Sequence, residues 1–203
     1  MLPRVASIAA ALALQGCGGA ARSNAEMEAL AARNRSPTHP ADVRFMTMMI
    51  PHHAQAVLFA GWAESHRARP AVRVFTARMV VAQRDEIETM RSWLRDRDRP
   101  VPAAEFVRGA HGDHELMPGM LTEARLYELD AARGDDYDRL FLTYMIVHHE
   151  GAIAMVDELF ASNGGAQDPF IFKLASDISA DQTIEIERMR AMLDNHQQDA
   201  RAP

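Results

Sequence analysis

Two stretches of this chain, DVRFMTMMIPHHAQAV from Asp42 and DRLFLTYMIVHHEGAI from Asp138, carry one pattern twice: a methionine, Met49 or Met145, three residues ahead of a double histidine, His52-His53 or His148-His149. In the first copy Phe45, Met49, His52/His53, Ala56, Val57 and Ala60 recur at three- and four-residue steps, the period of one helix face. A second repeat follows each copy: Gln83-x-x-Glu86-Ile87-x-x-Met90 and Gln182-x-x-Glu185-Ile186-x-x-Met189. Each half is therefore a helical hairpin, one helix with the double histidine and one with Gln-x-x-Glu-Ile. A single hairpin cannot bury its apolar face alone. The duplication thus predicts an all-α fold, a four-helix bundle in which two hairpins pair about an approximate twofold axis.

The first helix is expected from Ala41 to about Ser65, with Pro51 inside it, where the missing N–H should kink the backbone. Pro70 opens the second, which runs to the charged stretch Arg95–Pro100. Residues 100–119, rich in proline and glycine, read as a long connection. Thr122 then caps a short crossover helix that Gly134 closes. The fourth helix extends from Asp135 to about Ser162, and the last from about Pro169 to Gln197. The bundle domain spans 41–198, with repeat halves of about 41–98 and 135–197.

Ahead of the bundle, Arg4, the apolar run Val5–Leu14 and Leu14-Gln15-Gly16-Cys17 read as a bacterial lipoprotein signal over residues 1–16, cut before a lipidated Cys17. Residues 17–40 form a flexible tether. Cys17 is the one cysteine, so an exported chain has neither a disulfide nor a thiolate ligand in its folded part. The expected location is the periplasm or cell envelope. The lipid would be the membrane attachment, since no later apolar run approaches a membrane span. A net charge of −6 argues against nucleic acid as a partner and suits cations. Self-association into a homo-oligomer stays open.

Adjacent residues on a helix point about 100° apart, so one histidine of each pair can face the bundle axis and the other a neighbouring helix. Gln83 with Glu86, and Gln182 with Glu185, present an amide and a carboxylate side by side. Imidazole and thioether without thiolate favour copper, as Cu(I) or Cu(II), with zinc or silver next. The candidate metal residues are His52, His53, His148, His149, Met49, Met145, Glu86 and Glu185, the two carboxylates either as ligands or as groups that orient a ligating ring. Gln83, Gln182, Met90 and Met189 are weaker candidates. In the crossover His111, His114, Met117 and Met120 are spaced three apart; they read first as a loop capping the bundle and second as a cluster able to wrap Cu(I). Methionine on a buried face is usually filler, and histidines can also lock helices by bonding to Glu or Gln. Burying four imidazoles is costly unless each finds a partner, which tips the reading toward metal. Asp42 and Asp138 fall in the first turns of their helices, where a carboxylate favours the dipole.

The D-x-x-F and double-histidine segments at Asp42–Val57 and Asp138–Ile153, the Q-x-x-EI-x-x-M segments and Met117-Pro118-Gly119-Met120 together resemble the domain of unknown function 305 family, over about Asp42 to Leu193. The resemblance implies a ferritin-like four-helix bundle, common among exported bacterial proteins, some of them associated with copper binding and resistance. It marks the four histidines with Met49 and Met145 as signature positions and implies no established enzymatic activity. The long Met/His-rich tails of some copper-associated members are missing, which argues against high-capacity storage. Three functions compete: a metal-binding protein that sequesters or hands over copper, a structural or partner-binding helical module, and a ferritin-like diiron oxidase. The last needs Glu-x-x-His pairs, and the sequence has none.

Overall fold

The structure, a computed structural model, describes residues 38–109 and 116–199. The signal, Cys17, the tether up to residue 37 and the crossover histidines His111 and His114 lie outside the described residues. Among those described there are helices and no strands. In chain order the helices are α1 (Pro40–Ala60), α2 (Pro70–Arg95), the short α3 (Glu123–Ala131), α4 (Asp135–Ala161) and α5 (Pro169–Asp199). None is long and apolar enough to cross a membrane.

Local chemistry explains most of the boundaries. Pro40 takes the first position of α1, where no N–H is needed, and the His39 ring accepts from the Ala41 N–H at 3.2 Å. α1 ends at Ala60, earlier than the periodicity suggested, and residues 61–67 form turns. Pro51 is accommodated inside α1 without interrupting it. The Thr122 hydroxyl accepts from the Arg125 N–H at 3.3 Å and caps α3. Gly134, expected to close α3, is instead the residue from which α4 starts, with φ of 57°.

α1 packs on α2, α4 on α5, and α1 against α4, so the two double-histidine helices are the central pair and α2 and α5 flank them. The central pair is antiparallel: Arg44 near the start of α1 pairs with Glu158 near the end of α4 at 3.2 Å, and the Tyr137 hydroxyl at the start of α4 donates to the Phe59 carbonyl at 2.9 Å. Two apolar clusters fill the interior. One gathers Phe45, Met49, Ile50, Met90, Trp93, Met155 and Ile178; the other gathers Phe59, Phe75, Met79, Phe141, Leu142, Met145 and Met189. On α1 the first cluster reaches Ala54 and the second starts at Ala56, so the histidines fall at the border between them.

Candidate metal centre

All four histidines are fully buried. The rings of His52 and His148 meet across the α1–α4 interface with centroids 3.9 Å apart and planes tilted by 42°. His53 and His149 point the other way, each to the second helix of its own hairpin. His53 Nε2 lies 2.8 Å from Glu86 Oε2, and His149 Nε2 lies 2.7 Å from Glu185 Oε2. The approximate twofold axis therefore runs between His52 and His148, the inward members of the two pairs. A helix turns about 100° per residue, and this is why one pair of neighbours serves two partners.

The acceptors fix the tautomers. A carboxylate or carbonyl oxygen only accepts, so Nε2–H donates in His53, in His149 and in His52, whose Nε2 lies 2.9 Å from the Pro118 carbonyl. The Nδ1 atoms of these three rings have no hydrogen-bond partner among the described residues, and neither has either nitrogen of His148. Burial, followed by the neighbouring His53, lowers the His52 pKa from 6.5 to about 3, with the Pro118 carbonyl opposing the shift. Burial and then His52 push His148 well below its ordinary value, against a weak pull from the His52 backbone. His52 and His148 are therefore neutral near pH 7 and carry lone pairs inside a dry layer. Gln83 and Gln182 are 3% exposed and belong to the same layer by sequence position; both amide atoms of Gln83 and Oε1 of Gln182 are likewise without partners.

The crossover closes one side of this layer. The Met120 N–H donates to the Met117 carbonyl at 3.1 Å across Pro118-Gly119, and Gly119 has φ of 78°, the form of a type II turn with proline and glycine in its two central positions. This turn lies directly on α4. A Cβ at Gly151 would come within 2.0 Å of the Pro118 carbonyl oxygen, and one at Gly119 within 2.4 Å of the Val147 carbonyl oxygen. In the other half of the repeat Gln55 replaces Gly151, and its amide exchanges two hydrogen bonds with the Leu121 backbone, at 2.8 and 3.0 Å. The repeat departs from symmetry here in order to hold the crossover.

The remaining candidates separate clearly. Met49 and Met90 lie in the first apolar cluster and Met145 and Met189 in the second, all fully buried, so the thioethers flank the histidine layer from opposite sides. Met117 packs against the first cluster, and Met120 is buried beside the turn. Among the described residues no three His, Asp or Glu side chains are already arranged to hold one ion together. Sequence reasoning missed Gln55, Gly151 and the Pro118 carbonyl. Their signal was the mismatch HHAQ against HHEG between otherwise parallel copies. It also missed Asp181, one turn before Glu185, whose carboxyl is held above its ordinary value by partial burial and then by the charges of Glu86 and Glu185.

This fold has close counterparts. A DUF305 fragment from Deinococcus radiodurans is 28% identical with a TM-score of 0.68, over 79% of this chain and 99% of that one. CopM in its Cu(II)-bound form is 30% identical with a TM-score of 0.62, over 76% of this chain and 96% of CopM. The Cu(I)-bound form of CopM, at 29% identity, gives a TM-score of 0.59 over the same shares. No curated protein matches the chain at a significant level. The family profile of the domain of unknown function DUF305 matches residues 42–193, the two hairpins and their crossover, and the chain belongs to that family.

Proposed function

We propose that this protein is exported, is anchored by a lipid at Cys17, and binds copper, first as Cu(I), in the histidine layer, to sequester it or hand it over in the cell envelope. The observation that carries the reading is the set of buried nitrogens without partners, above all His148 facing His52 from the opposite helix. Each buried polar atom left unpaired costs about 1–3 kcal/mol. A soft ion taken up by neutral imidazoles would remove that cost. The donor chemistry fits: two neutral rings meet at the axis, and two others donate Nε2–H to carboxylates, the arrangement that orients ligating histidines. Thioethers of Met49 and Met145 lie one turn away on their helices, which favours Cu(I) or silver over zinc. CopM, related in fold, has copper- and silver-bound forms. Export rests on the leader-like sequence before Cys17.

Equilibrium dialysis of the folded part against Cu(I), Ag+, Cu(II) and Zn(II), with a thermal shift scan, tests the reading. We expect saturable uptake of Cu(I) and Ag+ with a rise in melting temperature, as for any ligand that binds the native state alone. Both should be lost in the His52→Ala/His148→Ala double variant. No retention of any ion by the unaltered chain would favour a bundle whose histidines only lock helices through Glu86 and Glu185.

A further inference from the structure

Resting on the metal-handling reading, we propose that the gap between α2 and α5 is the port by which a cation reaches the histidine layer, with Asp181 as its outer recruiting carboxylate and Glu86 and Glu185 as the inner pair. The Pro118-Gly119 side and the two ends of the layer are covered. The Pro118-Gly119 turn packs on α4 at Gly151, and its carbonyl occupies the His52 ring. The two apolar clusters lie along the bundle to either side of the layer. α2 and α5, in contrast, pack on their hairpin partners and scarcely on each other. Glu86 stands on α2 and Glu185 on α5. Their side chains are 19% and 21% exposed, while the rings they bind have no exposure, so each carboxylate links solvent to a buried imidazole.

Asp181 lies one turn before Glu185 on the same face of α5 and is exposed. The charges of Glu86, Glu185 and Asp177 all act on Asp181, so carboxylates from two helices share one small region. A second observation points inward from there. Gln83 and Gln182, each one turn before its glutamate, are buried with amide atoms that have no partner. Three of the nearby cations are engaged by other carboxylates. Arg91 is held by Glu88, Arg190 by Glu150 and Lys173 by Asp177, and Arg84 lines a groove with Trp62 and Glu88. Arg188 stands one turn beyond Glu185. A cleft of one sign with low-dielectric walls focuses the field and raises the local concentration of the opposite ion.

Timed uptake of Ag+ by the folded chain, stopped by a scavenger of free ion and counted by mass spectrometry, reads the port separately from the site. Asp181→Asn is expected to slow uptake about fivefold at low ionic strength and to match the unaltered chain at about 1 M salt, where the Debye length is about 3 Å. The amount bound at equilibrium should not change. Asp157→Asn, which removes the same charge from an exposed position of α4, should leave the rate unaltered. Equal rates for the two variants would overturn the port and leave the histidine site standing. No saturable uptake by the unaltered chain would overturn both.

Discussion

A histidine buried as a neutral base makes a protein sensitive to acid in a defined window, and here two such rings face each other. The pKa of His52 falls from 6.5 to about 3 in the folded chain, and His148 is lowered in the same direction. Between those values the unfolded chain binds more protons than the folded one. The stability these rings contribute is therefore complete above pH 6.5 and is lost as pH falls from there toward 3. Each ring adds a slope of about 1.4 kcal/mol per pH unit. Denaturant midpoints measured between pH 7 and pH 5, where most carboxylates stay ionised, are expected to fall steeply, and His148→Gln should remove about half of the slope. A flat profile would mean that the rings are not buried neutral. The same measurement with saturating Ag+ should deepen the acid sensitivity, because a proton and an ion compete for one lone pair.

At the scale of elements the crossover is the part that departs from the repeat, and Gly151 is the residue that admits it. Gly151→Ala would force a Cβ against the Pro118 carbonyl. Overpacking of this kind costs about 1–3 kcal/mol, seen as a lower melting temperature, and displacing the turn would also break the bond from His52 Nε2. Gln55→Ala frees the same segment at Leu121 from the other side and is expected to have a smaller effect without a clash. The elements themselves were legible in the sequence because the apolar period, the proline at Pro70 that opens α2 and the cap at Thr122 are local signals. The pairing of hairpins was legible because the motif occurs twice. What each histidine touches was not. The period places His52 and His53 on one helix flank, but Glu86, His148 and Pro118 reach them from three other segments, and only the packed bundle sets those distances. The start of α4 at Asp135 was read correctly, but Gly134 was assigned to the end of α3 rather than to the cap of α4, because a glycine between two helices serves the end of one or the start of the next equally well in sequence.

For the whole molecule, the question is what keeps two similar hairpins in register so that His52 meets His148. Asp42 and Asp138 are buried, and each reaches across to the other hairpin: Asp42 accepts from the Ala166 N–H ahead of α5 at 2.7 Å, and Asp138 accepts from the Arg69 N–H ahead of α2 at 3.1 Å. Their first-turn position, legible as a dipole effect, thus has a second use. Each double-histidine helix pins the loop that starts the partner hairpin's Gln-x-x-Glu helix, once at either end of the antiparallel central pair. Charged acceptors of this kind contribute about 1.5–3 kcal/mol. Because the two latches lie at opposite ends and share no partner, their losses should add. Asp42→Ala and Asp138→Ala are each expected to lower the unfolding free energy by about 2 kcal/mol, and the double variant by about the sum. Amide exchange locates the effect: Asp42→Ala should speed exchange at Ala166 while leaving Arg69 protected, and Asp138→Ala should do the reverse. Equal loss of protection at both loops in either single variant would show instead that the bundle opens as one unit, with the latches no more than local caps.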